Sequence, residues 1–199
     1  MDITIDMIKQ LREETGAGIL DCRKALETYN GDMEAAGNYL REKGLAAAQE
    51  RSERKASEGL VEVYGHPGNR VGVMVEVNCE TDFVAKTDDF RSLAHELALH
   101  IAFAAPRYIS RESVPAEVVE AEKAAYRAQA LAEGKPEHIV DRIVAGKMDK
   151  FFQETCLLEQ PFVRDEDRKV DDIIKDRTIR LGENIIVRRF VRYELGEEL

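Results

Sequence analysis

No stretch of these 199 residues approaches the roughly 18 consecutive apolar residues of a membrane-spanning helix, so no bilayer span is expected. The start, Met1 to Lys9, carries Asp2 and Asp6 and no basic cluster, which argues against a secretory signal there. Cysteine is scarce. Cys22, Cys79 and Cys156 are scattered, odd in number and without a C-x-x-C. They read as reduced residues in or near the core of a cytoplasmic protein. Basic charge is short as well: 29 Lys and Arg face 39 Asp and Glu, a formal net charge of −10. Nucleic-acid binding rests on a basic footprint that neutralises phosphates, so this balance points to a protein partner instead. Arg188, Arg189 and Arg192 form a local basic patch, but Ile186, Val187, Phe190 and Val191 interleave with them, and the stretch reads first as a strand.

The chemistry of an enzyme is thinly represented. Of four histidines, His95 and His100 stand five positions apart on one helix. They therefore point in different directions, unlike the i,i+4 pair of a zinc site. His100 lies at the edge of an apolar stripe and reads as a satisfied, half-buried residue. Glu76, Glu80 and Asp82 could in principle form an acid–base set. Carboxylates around a strand end are common, however, and no pocket-forming glycine loop accompanies them. There is no P-loop or dinucleotide fingerprint. The expectation is no catalytic residue, no metal and no cofactor.

What is present fits a globular α+β protein, 44% hydrophobic and 34% charged, of one or two domains. Residues 1–44 read as a three-helix module free of all five prolines. Its stripes are Ile5, Ile8 and Leu11, then Ile19, Cys22, Leu26 and Tyr29, then Met33, Ala36 and Leu40. Gly16 suits a helix C-cap, Asp32 an N-cap, and Gly44 a helix end. Residues 45–57 are helix-prone and charged, and read as a linker helix. Residues 58–199 form the core domain. Leu60 to Tyr64 and Arg70 to Asn78 alternate around a five-residue turn, which makes a hairpin. Helices follow from Asp88 to about Ala105, from Pro115 to Glu133, from Pro136 to about Thr155 and from Arg168 to Leu181. A last strand, Ile185 to Leu195, completes a small antiparallel sheet packed with helices.

Two segments stand out. Residues 76–86 read Glu-Val-Asn-Cys-Glu-Thr-Asp-Phe-Val-Ala-Lys. Val71, Val73, Val75 and Val77 line the buried face of the strand that leads into them. A Phe beside a carboxylate, just past a strand end, either folds back onto the next helix as core or is a wedge presented to a partner. The second segment runs Leu11-Arg12-Glu13-Glu14-Thr15-Gly16-Ala17-Gly18-Ile19-Leu20-Asp21-Cys22-Arg23-Lys24-Ala25-Leu26. Its glycine pair makes a tight turn between helices. It could also expose Ile19 and Leu20 beside a polar rim from Arg12, a combination that protein interfaces use.

These two segments resemble the two signatures of the elongation factor Ts family, the guanine-nucleotide exchange factors of bacterial elongation factor Tu. His100-Ile101-Ala102, Gly134-Lys135-Pro136, Gly146 to Phe151 and Gln160-Pro161-Phe162 look like the same family, and the resemblance spans nearly the whole chain. Arg23 departs from it, since Lys is usual there and the two differ in hydrogen-bond geometry. The resemblance implies a ubiquitin-associated-like N-terminal module and a short form without the insert and C-terminal helical module of longer relatives. It implies elongation factor Tu, GDP-bound and nucleotide-free, as the partner. Thr81, Asp82, Phe83 and Val84 would press near that partner's Mg²⁺ site. Arg12, Ile19, Leu20 and Arg23 would meet its nucleotide domain, with His100 as a further possible contact. Short relatives can pair through the sheet, so a homodimer is open. Two other readings remain beside this one: a helical adaptor acting through residues 1–44, and an acid–base enzyme centred on Glu80 and Asp82.

Overall fold

The computed structural model describes residues 3–197. Its contacts divide the chain into two compact units. The first comprises Met1–Val61, Glu76–Ala94 and Asp172–Val187, the second Glu62–Val75, His95–Asp171 and Arg188–Leu199. Strands β1 (Glu58–Gly65), β2 (Val71–Cys79) and β5 (Ile186–Glu194) pair in the order β1-β2-β5 as a small antiparallel sheet. On β2 the predicted alternation holds: Val73, Val75 and Val77 are buried, Val71 is half-buried and Met74 is exposed.

The first unit opens with α1 (Ile5–Thr15), α2 (Ile19–Thr28) and α3 (Met33–Arg51). Local chemistry sets their ends. The Thr4 hydroxyl accepts from the Met7 amide at 3.2 Å, and the Asp32 carboxylate accepts from the Ala35 amide at 3.0 Å. Gly16, at φ 69°, donates its N–H to the Arg12 carbonyl at 2.8 Å. These are the side-chain N-caps and the left-handed C-cap that helix ends favour. Leu11, Cys22, Ala25, Leu26, Ala36 and Leu40 form the core, with Ile3, Met7 and Ile8 packed against it. Ile5 is 72% exposed, which corrects the stripe expected for α1. The face that packs is Ile3, Met7, Ile8 and Leu11, and Ile5 lies off it at 100° per residue.

Helix α3 does not stop at Gly44 but continues to Arg51. A Cβ on residue 44 would lie 2.9 Å from Ile179 Cγ2, on α8 (Val170–Leu181). Glycine is there to let two helices approach, not to end one. The unit is completed by the end of β2, the single-turn helix α4 (Asp82–Ala85) and the start of α5 (Asp88–Ala104). Asp89 accepts from Arg180 at 3.1 Å and Arg177 at 3.5 Å, joining α5 to α8.

In the second unit α5 ends at Ala104, and Ala105, at φ 47°, follows it just before Pro106. Helices α6 (Ala116–Ala132) and α7 (Glu137–Thr155) pack on one another. Arg127 pairs with Asp141 and Lys147 bonds Gln129 across them. Val114, Met148, Phe151 and Cys156 make a second core cluster. Arg111 clamps Glu159 with two nitrogens, reaches Asp149 at 3.0 Å, and lies over the Phe152 ring at 4.7 Å. A short antiparallel pair that the sequence reading missed, β3 (Pro161–Phe162) and β4 (Asp165–Lys169), precedes α8. It takes Arg168 and Lys169 out of the helix expected to begin there. Among the described residues no helix is long and apolar enough to cross a membrane.

Candidate functional site

Past the end of β2 the chain turns sharply, and the turn is held from outside. The Glu183 carboxylate accepts the backbone amides of Glu80 (3.1 Å) and Thr81 (3.0 Å) on one oxygen, and the Thr81 hydroxyl (2.5 Å) on the other. The Asn184 amide donates to Glu80 Oε1 at 2.7 Å. Thr81 also starts α4, its hydroxyl accepting from the Val84 amide at 3.4 Å. Asp82 is bridged to Lys86 at 2.5 Å, and this bond holds its carboxyl below the usual range. Ala85 is buried beneath the turn, Val84 is half-buried, and Phe83 points out, 80% exposed. The structure therefore excludes the core reading of Phe83.

Cys79 lies at the base of this turn, fully buried, its thiol donating to the Thr81 carbonyl at 3.2 Å. Burial, with the Glu183 charge nearby, pushes that thiol up to about 11. It is a neutral thiol at ordinary pH and a poor nucleophile. Nor do the nearby acids form a working pair. Glu80 is taken by Asn184 and approaches Arg54 at 3.7 Å, while Asp82 is taken by Lys86. Among the described residues no group of three or more His, Cys, Asp or Glu could hold a metal ion.

The second group of residues lies on the same unit. Gly18 begins α2 without a side-chain cap, and Ile19 and Leu20 occupy its first turn. Cys22, Ala25 and Leu26 carry the buried face of α2. That leaves Ile19 57% and Leu20 72% exposed, so Ile19 is not part of the core stripe. Asp21 between them and the core bonds Lys43 on α3 at 2.7 Å, which steadies this end of α2 and lowers the Asp21 carboxyl. Arg23 pairs along the helix with Glu27 at 2.8 Å. Arg12 is exposed and lines an open groove of about 280 Å³ with Lys9, Glu13, Gly16 and Arg180. Ile19 and Leu20 are thus two exposed aliphatic side chains that the core of the three helices does not use.

His100 is placed differently. It is 1% exposed, on α5 in the second unit. The Val163 amide donates to its Nδ1 at 3.2 Å, so Nε2 carries the proton and donates to Gln160 Oε1 at 3.0 Å. The Gln160 amide in turn donates to the carbonyls of Glu154 and Ala104, and Phe162 stacks on the imidazole with centroids 5.8 Å apart. Two motifs sixty residues apart thus form one buried network, and a partner would reach the ring only after Phe162 and Gln160 moved.

Glu183 and Asn184 were not singled out from the sequence. Their only local signal is Gly182, which ends α8 at φ 75°. The partner of Glu183 is 102 positions away, beyond any spacing rule.

The family described as Elongation factor TS matches residues 24–197. The chain is 60% identical over 190 residues to Elongation factor Ts of Moorella thermoacetica, covering 96% of this chain and 94% of that relative. It is 57% identical over 197 residues to Elongation factor Ts of Carboxydothermus hydrogenoformans, covering 99% and 91%. The Heliobacterium modesticaldum protein of that name is 58% identical over 197 residues, covering 99% and 92%. The exposed Phe83 turn and the Ile19–Leu20 patch lie on the two segments whose residues first suggested this relationship, and the chain belongs to the elongation factor Ts family.

Proposed function

We propose that this chain is a guanine-nucleotide exchange factor for elongation factor Tu. It binds the GDP form, promotes GDP release and lets GTP load, acting in the cytoplasm by binding alone, with no bond made or broken. The observation that carries this reading is Phe83, 80% exposed on a turn anchored at its base by Glu183. An apolar ring carried into water on an anchored turn is placed to displace something in a partner.

The partner's nucleotide site holds Mg²⁺, which demands near-octahedral geometry and usually keeps only one or two protein ligands besides phosphate and water. Thr81, Asp82, Phe83 and Val84 press against that region. Phe83 supplies volume, and Asp82, whose carboxyl the Lys86 bond holds below the usual range, supplies negative charge or redirects a hydrogen bond. Disturbing the metal loosens the diphosphate it bridges. One ring does not suffice. Moving a state from mostly nucleotide-bound to mostly nucleotide-free takes about 5.5 kcal/mol of differential binding, and burying a Phe gives about 1.5–3 kcal/mol. The remainder comes from a wider contact that includes Arg12, Ile19, Leu20 and Arg23 on the partner's nucleotide domain. Reciprocity then requires that GDP with Mg²⁺ weaken this chain's grip on the partner by the same factor.

An adaptor acting through residues 1–44 alone is less well supported. Gly16 and Gly44 pack against Arg180 and Ile179 of α8, so an excised module would lose neighbours.

The test is release of labelled GDP from elongation factor Tu, first with substoichiometric wild type and then across a Mg²⁺ titration with wild type and Phe83→Ala at saturating protein. Wild type accelerates release at substoichiometric amounts and leaves GTP intact. Phe83→Ala slows release much more at high Mg²⁺ than in excess chelator, because without metal part of the task is already done. Release that wild type leaves unchanged overturns the exchange reading. Parallel curves overturn metal displacement and reduce Phe83 to an affinity anchor.

A further inference from the structure

We propose that Glu183 is the positioning residue of the Phe83 turn, and that with Asn184 it forms a clip fixing the direction of the wedge. The inference rests on the exchange reading above and assigns this residue a part in it. Phe83 is 80% exposed, so its own packing does little to hold its direction. A wedge that swings freely pushes on nothing. The stiffness has to come from the backbone beneath it, and three donors there converge on one carboxylate.

Those donors are the Glu80 and Thr81 amides and the Thr81 hydroxyl. Bonds to an ionised acceptor are about twice as strong as neutral ones. Thr81 is the hinge of the arrangement: its hydroxyl donates to Glu183 and accepts from Val84, so one side chain is tied on both sides of Phe83. Asn184, 5% exposed, extends the clip. Its amide bonds the Glu80 carboxylate, and its side-chain NH₂ donates to the carbonyls of Ser52 (3.2 Å) and Arg54 (2.8 Å), just past the end of α3. The Phe83 turn is thereby bonded to the chain leaving the helix that packs with α1 and α2. Gly182 at the end of α8 delivers both residues.

Reach separates this role from a charge effect. Glu183→Asp keeps the charge and falls a methylene short. Glu183→Gln keeps the length and one acceptor oxygen for the two amides, and Thr81 can turn its hydroxyl to accept from the new NH₂. The first readout needs no partner. Hydrogen exchange at the Glu80 and Thr81 amides rises in Glu183→Ala and Glu183→Asp and stays slow in Glu183→Gln. The second is the limiting rate of GDP release from elongation factor Tu. Ala and Asp lower it about tenfold with less change in half-saturating concentration, while Gln stays within about threefold of wild type. In a Phe83→Ala background Glu183→Ala slows release by less than about twofold, because the two act through one contact.

Unchanged exchange at the two amides overturns the clip. So does full-rate release by both Ala and Asp, equal slowing in the two backgrounds, or a Gln variant as slow as Ala. Should Glu183→Ala fail to fold, the Asp and Gln pair decides alone. Amides that respond as stated, beside a wild type that releases no GDP, overturn the exchange reading and with it the role given to the clip.

Discussion

Replacing Ile19 and Leu20 together by Ala separates an interface from a core in one measurement. Burying a whole Leu or Ile side chain is worth about 2 kcal/mol, within a range of 1.5–3. Ile19 is 57% exposed and Leu20 72%. Scaling by exposure leaves about 1.1 and 1.4 kcal/mol for a partner to gain by covering them, about 2.5 together. That corresponds to roughly a 70-fold weaker Kd. The part already buried supports the fold by at most about 1.5 kcal/mol. Alanine keeps its Cβ and returns a few tenths of a kcal/mol in helix propensity, so the net loss of stability is about 1 kcal/mol or less. Leu26, on the same helix and fully buried, is the control, since truncating it costs about 2–5 kcal/mol. The assay pairs urea unfolding with equilibrium binding to elongation factor Tu. The double variant should bind tens of times more weakly with a slightly lower unfolding midpoint, whereas Leu26→Ala should lose stability heavily. A double variant as unstable as Leu26→Ala, or one that binds at full affinity, refutes the placement of these residues at the contact.

Three further outcomes follow from the packing. His100 sits below its ordinary value of 6.5, chiefly through burial and against the pull of Gln160. The unfolded chain therefore binds the proton more readily, and the stability from His100 is fully present above about pH 6.5 and lost as pH falls below it; urea midpoints between pH 7 and 5 should drop less steeply in His100→Gln. Gly44→Ala gains about 1 kcal/mol of helix propensity but forces a Cβ to 2.9 Å from Ile179. Overpacking of about 1–3 kcal/mol should win, and adding Ile179→Ala should reverse the sign of the Gly44 effect, as measured by a double-mutant cycle in urea. Arg111→Lys keeps the charge but loses the two-nitrogen clamp on Glu159, so the thermal midpoint should fall and a Glu159→Gln partner change should recover little of it.

Local rules carried most of the fold. Asp32 and Gly16 cap helices as expected from their residue types, and the alternation of β2 was plain because each valine two positions on returns to the same face. The reading failed where two distant segments decide the role of one residue. Gly44 looks like a stop signal until Ile179 is seen against it. Ile5 looks like core until Met7 is seen to join Ile8 and Leu11 on the packed face of α1 in its place. The candidate site divides along the same line. Phe83, Ile19 and Leu20 could be picked out as candidates from the motifs, yet physics alone could not place Phe83 inside or outside, because burial depends on what the rest of the chain brings to cover it. The structure brings a carboxylate to the backbone below Phe83 and leaves the ring largely uncovered. Glu183 spends its hydrogen bonds stiffening a turn whose most apolar residue faces water. An exposed Phe on a loose loop would collapse onto the nearest apolar surface. On the proposed exchange reading, the braced turn opposes that collapse and leaves the area of the ring for the partner to cover.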